Sequence, residues 1–229
     1  MAQGPNPTLA RQVADLKRMA TTWHRVSTPL RRSDLHADPF VQFARWHAAR
    51  AAAPGIGEVD AVALATASAA EGPSVRMVLL KGFDERGLRF FTNTQSRKGR
   101  DLAANPRAAL LLYDAHHNRQ ARAEGRVVTA SADETDAYWR SRAPGSRLSA
   151  AVSEQSRVVS DRATMLQARD EARARWSDEL IPRPEAWQGY RLEPEQFEFW
   201  QHGDDRFHDR FRYERASPGE PWRIARLWP

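Results

Sequence analysis

Residues 61–114 read AVALATASAAEGPSVRMVLLKGFDERGLRFFTNTQSRKGRDLAANPRAALLLYD. Short apolar runs, AVALATAS, SVRMVLLKGF, LRFFTNT and AALLLYDA, alternate near period two and are separated by turn residues, which predicts strands. Asp84-Glu85-Arg86-Gly87, between the second run and the third, reads as a hairpin connection. Strands this closely spaced are antiparallel, because a parallel pair needs a crossover of a dozen residues or more.

Upstream, Asp38-Pro39 reads as an N-cap followed by proline at the first helical position. Phe40, Phe43, Trp46 and Arg50 then share one face of a helix expected from Pro39 to Ala53, where Pro54-Gly55 ends it. Downstream, RQARAEGRVVTA predicts a further strand pair bent at Gly125. Helices follow in SADETDAYWRSR and from Asp161 to Trp176, the latter with Met165, Ala168, Ala172 and Trp176 as its apolar stripe. FEFWQ, DRFRYER and WRIARLWP return to alternation. Strands first and last with helices between predict an α+β protein built on a closed antiparallel barrel. Residues 1–32, polar and weakly patterned, read as an N-terminal arm, and residues 33–229 as a single domain.

The composition narrows the chemistry. The 229 residues are 41% hydrophobic and 28% charged, the balance of an ordinary water-soluble protein. No apolar run is long enough for a membrane span and the N-terminus lacks a secretory apolar block, so the expected location is cytoplasmic. The absence of cysteine excludes disulfides, thiol catalysis, iron–sulfur clusters and thiolate zinc sites. The net charge of +6 invites an anionic partner, but basic residues interleaved with acids, as in ARDEARARW, favour a small anion over nucleic acid. Lysine occurs only at Lys17, Lys81 and Lys98.

Three constellations could carry chemistry. Ser96 reads as the N-cap of a helix running to about Asn105, which places Arg97, Lys98 and Arg100 in the first turn, where the helix dipole disfavours cations. Such a start is either an anion cradle or a solvated basic end. In DRFHDRFRYER, strand alternation places Arg206, His208, Arg210 and Arg212 on one face and Phe207, Phe211 and Tyr213 on the other. The cationic face suits an anionic ligand and depresses the histidine pKa by like-charge repulsion, or is a solvent-facing ladder balanced by Asp204, Asp205 and Glu214. Tyr138 and Arg142, four apart on a helix, with Ser146 beyond Pro144-Gly145, form either a phosphate clamp or plain surface packing. Arg76 and Lys81, five apart, share a site only if the strand bulges or ends between them. His116-His117 lacks a suitably spaced acid partner, so no metal is expected.

RMVLLKGFDERGLRFFTN, SRKGRDLAANPRAALL, RQARAEGRV, YWRSRAPGS, EQS, QFEFWQHGDDRFHDRFRYER and WRIARLWP resemble, in order, the pyridoxine/pyridoxamine 5′-phosphate oxidase family over about Arg31 to Pro229. The resemblance implies an antiparallel split β-barrel with flanking helices, and a homodimer with FMN at the subunit interface. It implies FMN-dependent oxidation of pyridoxine 5′-phosphate and/or pyridoxamine 5′-phosphate to pyridoxal 5′-phosphate, with oxygen reduced to hydrogen peroxide. FMN contacts are implied for Arg76, Met77, Val78, Leu79, Leu80, Lys81, Phe91, Thr92, Arg97, Lys98, Gln120, Gln155, Ser156, Trp200 and Arg210. Lys81, Tyr138, Arg142 and Ser146 are implied to hold the substrate phosphate, and Arg206 and His208 to flank its ring as catalytic residues. Two departures stand out: Phe91 replaces the usual tyrosine, and TTWHRVS replaces an Arg-x-x-Tyr in the arm, where Trp23 or Arg25 could substitute. The second keeps open an FMN oxidase of phenazine-type biosynthesis. A non-catalytic flavin- or heme-binding split barrel is the alternative outside enzymes.

Overall fold

A computed structural model describes residues 28–55, 57–217 and 219–229. Most of the arm, with Trp23 and Arg25, therefore lies outside the described residues. Helix α1, Pro39–Ala51, starts where expected: the Asp38 side chain accepts from the Phe40 amide, and Phe40, Phe43 and Trp46 are buried. It ends two residues early, at Ala51, with Ala52 as its C-cap.

The described residues form nine strands on one antiparallel plan. They are β1 Ala61–Ser68, β2 Gly72–Leu79, β3 Phe83–Asp84, β4 Gly87–Asn93, β5 Arg107–Asp114, β6 Arg119–Thr129, β7 Trp187–Gln201, β8 Asp209–Glu214 and β9 Arg223–Leu227. The sheet order is β2-β1-β5-β6-β7-β4-β3, with β8 on β7 and β9 on β8. The expected hairpin is present, since Asp84 pairs with Gly87. RQARAEGRVVTA is one strand rather than a pair: β6 runs unbroken beside β5 and β7, and the irregularity near Gly125 lies in its register with β7. There Gly125 faces Pro194 and Glu124 faces Gln196, so Glu195 is the extra residue of a bulge. A Cβ on Gly125 would stand 2.1 Å from the Glu193 carbonyl, which is why glycine sits opposite the bulge.

The expected closed ring is interrupted. No ladder joins β2 to β3 or β4; the two ends of the sheet are linked by the chain itself, through Leu80, Lys81 and Gly82. The Lys81 amide donates to the Arg89 carbonyl and the Leu80 amide to the Asp60 carbonyl, which fixes that link. Val62, Leu64, Leu88, Phe90, Leu110, Leu192, Phe197, Phe199 and Tyr213 fill the barrel. Burying side chains of this size contributes about 1.5 to 3 kcal/mol each.

Among the described residues four further helices flank the sheet: α2 Arg97–Ala104, α3 Ala132–Ser141, α4 Pro144–Val152 and α5 Arg162–Arg175. A smaller cluster, Trp139, Leu148, Ala172, Ile181 and Trp187, packs α3, α4 and α5 onto the start of β7. Of the stripe expected on α5, Ala172 is buried whereas Met165 is exposed, because only the C-terminal end of that helix meets the cluster. The C-terminal alternation begins later than expected. Asp204–Arg206 is a short turn with Asp205 and Arg206 at positive φ, so Arg206 lies off the strand and Phe207 is exposed rather than in the core.

Candidate functional site

A cleft of about 590 Å³ opens at the interruption between the two ends of the sheet, lined by β2, Lys81, β4, the start of α2, α3 and the segment after α4. Local sequence builds each wall. The Ser96 side chain caps α2 by accepting from the Gly99 amide, and Gly99 is required because a Cβ there would meet the Thr94 carbonyl at 2.2 Å. Phe91 faces Gly189 across the β4–β7 ladder, which leaves room for the phenylalanine ring to lie flat. That ring stacks on Tyr138 at 4.1 Å and on Trp187 at 5.2 Å, so three aromatic planes form one side.

The opposite character comes from charge. Arg76, Lys81, Arg97, Lys98 and Arg142 all line the cleft, and none of its lining residues is a carboxylate. Lys98 is buried, and its ammonium donates to Gln155 Oε1 at 3.1 Å and to Ser96 Oγ at 3.3 Å. Burial, helped by the charge of Arg76, pushes the Lys98 pKa down to about 8. Gln155 Oε1 also accepts from Thr92 Oγ1 at 3.0 Å, and the Arg97 amide donates to Ser156 Oγ at 3.2 Å. Arg76 donates to the Leu64 carbonyl, Thr66 Oγ1 and Ser74 Oγ, with Asp101 at 3.9 Å behind it.

The Arg142 guanidinium lies 5.0 Å over the Trp187 ring and donates through Nη2 to the Ser146 carbonyl at 3.0 Å. Its Nη1 is buried with no hydrogen-bond partner among the described residues. Arg142 is the cap beyond α3 rather than a helical residue, yet it stays beside Tyr138, whose phenol is pushed up by burial. Ser146, in the first turn of α4, lines an adjoining hollow of about 420 Å³ that shares Phe91, Thr92, Arg142, Gln155 and Trp187 with the cleft. A strand that ends at Leu79 accounts for Arg76 and Lys81 reaching the same space.

Leu80 departs from this group: its side chain is in the core, 2% exposed, because the chain turns there between the sheet ends. Gln120, Trp200, Arg206, His208 and Arg210 also lie outside the cleft. Gln120 pairs with Trp200 and Trp200 with Arg210 across adjacent strands. Trp187 lines the cleft while Trp200 lies thirteen residues further along the same strand, roughly 40 Å of contour.

In this second group the His208 ring lies 4.6 Å from Trp200 and 5.4 Å from His202. The Gly203 amide donates to His208 Nδ1 at 3.2 Å, which fixes the neutral tautomer with its proton on Nε2. Burial holds the His208 pKa below the usual imidazole value, ahead of the charges of His202, Arg206 and Arg210, so like-charge repulsion is the lesser cause. Arg210 is not a bare cation, since Nε and Nη2 grip the buried Glu198 carboxylate at 2.8 and 3.1 Å. Arg212 pairs with Glu214 at 3.1 Å. His117 has an acid partner after all, Asp114 at 2.7 Å, and the described residues contain no group of three or more potential metal ligands.

Asp101, Trp187 and Glu198 are the site residues that sequence reasoning missed. Asp101 is fully buried and accepts from Thr66, Ser68 and Ser74 hydroxyls. Its one sequence signal is its position three residues after Lys98 on the same helical face.

Residues 48–176 match the family model described as pyridoxamine 5′-phosphate oxidase. Residues 187–229 match the pyridoxine 5′-phosphate oxidase C-terminal dimerisation region. The chain belongs to the pyridoxine/pyridoxamine 5′-phosphate oxidase family. A pyridoxine/pyridoxamine 5′-phosphate oxidase of Cupriavidus pinatubonensis is 49% identical over 218 residues, 95% of this chain and 99% of its own. One from Burkholderia ambifaria is 50% identical over 198 residues, 86% of this chain and 92% of its own. Among solved structures, PhzG from Burkholderia lata, in complex with tetrahydrophenazine-1-carboxylic acid, superposes with a TM-score of 0.81 at 33% identity. That match covers 90% of this chain and 100% of PhzG. As a member of the oxidase family, the protein is an FMN-dependent oxidase with an α+β split-barrel fold. The cleft fits such a cofactor, because a buried ammonium held only by neutral groups and an unpartnered guanidinium nitrogen both call for an anion. No helix among the described residues is long and apolar enough to cross a membrane.

Proposed function

We propose that the protein oxidises pyridoxine 5′-phosphate and/or pyridoxamine 5′-phosphate to pyridoxal 5′-phosphate, reducing oxygen to hydrogen peroxide. The observation that carries this reading is the five-cation cleft without a lining carboxylate. Asp101, Asp60 and Glu71 stand within 4 Å of Arg76, Lys81 and Arg97, whereas Lys98 and Arg142 have no carboxylate that close among the described residues, which suits two phosphates, one on the cofactor and one on the substrate. Arg97 and Lys98 hold the flavin phosphate, with Gln155 and Ser156 orienting them. Arg142, Tyr138, Ser146 and Lys81 hold the substrate phosphate.

When bound, FMN supplies the hydride acceptor, which oxygen restores with formation of hydrogen peroxide. The chain's own residues position and polarise. His208, kept neutral with Nδ1 engaged by Gly203, donates from Nε2 to the substrate. Hydride departure leaves the substrate carbon electron-poor and carries negative charge to the acceptor, where Arg206 would stabilise it, while the proton given up by the substrate's hydroxyl or amine passes to water. Because the His208 group and the cleft lie far apart along β7, and the former falls mainly in the dimerisation match, a homodimer completes each site with FMN at its interface.

The test is peroxide production with each phosphorylated vitamer and its unphosphorylated counterpart. Loss of the phosphate should lower kcat/KM roughly 10³-fold, as expected when two or three charge-assisted bonds disappear. The likeness to PhzG favours a second reading, an oxidase of reduced phenazines. Faster turnover of a reduced phenazine, or indifference to the phosphate, would establish that reading instead.

A further inference from the structure

Lys81 differs from Lys98 in having an acidic neighbour. Its Nζ lies 3.8 Å from Asp60 Oδ2, while Asp60 Oδ1 is 3.1 Å from His47 Nε2. Asp60 is tied in at both its backbone and its side chain. The Asp60 carbonyl accepts the Leu80 amide at 2.9 Å, tying the residue to the very link that carries Lys81. His47 is wedged against Phe43 and Phe83, with ring centroids at 6.4 and 5.6 Å, so it holds its side of the pair in place. Asp60 does not itself line the cleft, but its charge reaches it, acting on the Tyr138 phenol.

We propose that Asp60 is a specificity-determining residue, which occupies Lys81 in the free enzyme and so restrains the affinity of the site for phosphorylated substrates. A substrate phosphate must draw Lys81 Nζ away from the carboxylate or share it, and it meets a like charge behind the ammonium in either case. Arg142, with Nη1 unpartnered, carries no such restraint. The phosphate site is thus a strong contact at Arg142 beside an attenuated one at Lys81. Attenuation favours release of a phosphorylated product, which leaves through the same contacts. The proposal rests on the assignment of Lys81 to the substrate phosphate.

The experiment is a steady-state comparison of the unmutated holoenzyme with Asp60→Asn, using pyridoxine 5′-phosphate and pyridoxine, together with the dissociation constant of pyridoxal 5′-phosphate measured by calorimetry. Asp60→Asn should lower KM for the phosphorylated substrate and the pyridoxal 5′-phosphate dissociation constant about two- to fivefold, the range of a partly exposed ion pair. The kcat for chemistry and the parameters for pyridoxine should stay as they were. Asp60→Glu should return both constants toward the unmutated values, and Asp60→Ser serves as the neutral variant if the asparagine disturbs folding. An unchanged or raised KM in the neutral variants, or equal shifts for both substrates, overturns the proposal. Failure of the functional assignment shows itself separately, as absence of phosphate preference in the unmutated enzyme.

Discussion

The Lys98 ammonium donates to the Gln155 side-chain carbonyl at 3.1 Å, so a buried cation is held by a neutral amide. Its folded-state pKa of about 8 lies below its unfolded value. Between the two the unfolded chain binds more protons, and the stability of the FMN-free protein should rise with pH across that window. Lys98→Met should therefore stabilise the FMN-free protein at pH 7, by about 1 to 3 kcal/mol, while weakening FMN binding about 10- to 100-fold and riboflavin binding hardly at all. Thermal melts and flavin titrations read both; equal losses for the two flavins would place Lys98 away from the phosphate.

Arg142→Ala should lower kcat/KM for the phosphorylated substrate about 10- to 100-fold and leave the unphosphorylated one nearly unchanged. The buried, unpartnered Nη1 is the reason to expect the upper part of that range. Steady-state kinetics on the two substrates decide it.

For His208 the lowered pKa means that the neutral ring persists below the usual imidazole value of 6.5. Between the folded and unfolded values the unfolded chain binds more protons, so stability rises with pH across that window: this residue's contribution is fully present above 6.5 and is lost as pH drops through the folded value. The acid limb of the kcat/KM profile should have its midpoint below 6.5, and nitrogen NMR should find Nδ1 unprotonated and Nε2 protonated at pH 7. A ring protonated on Nδ1 at pH 7 would remove the donor role.

Arg206→Ala should slow flavin reduction in single-turnover experiments without loss of bound FMN, because Arg206 lies outside the phosphate cleft. Unchanged reduction would take it off the catalytic list.

Gly189→Ala should both destabilise the fold and loosen the cleft. The added methyl would stand 2.7 Å from the Phe91 ring and 2.9 Å from the Ala130 methyl, and overpacking of this kind costs about 1 to 3 kcal/mol. A melting curve and FMN content measure the two effects.

Features decided locally were legible before the structure. The Asp84–Gly87 turn, the Asp38 and Ser96 caps, and the gathering of Lys98, Tyr138 and Arg142 all follow from neighbours within a few residues or from the family pattern. What failed depended on distant partners. Arg206 and Phe207 fit an alternating pattern by residue type, but their backbone belongs to a turn with positive φ. Glu198 appears as one more polar residue in FEFWQ until the pairing of β7 with β8 sets it against Arg210. Asp101 likewise needs hydroxyls from β1 and β2 to explain its burial.

Glu195, the residue left over opposite Gly125, reverses the parity of β7. Before it the even-numbered Tyr190 and Leu192 point into the barrel; after it the odd-numbered Phe197 and Phe199 do. One continuous strand can therefore send odd-numbered Trp187 to the first group and even-numbered Trp200 to the second while its core side stays apolar throughout. Strict alternation of the same sequence, without the bulge, would turn Phe197 and Phe199 outward and drive Glu198 and Trp200 into the core. A single extra residue thus decides on which side of the strand an entire half-site stands.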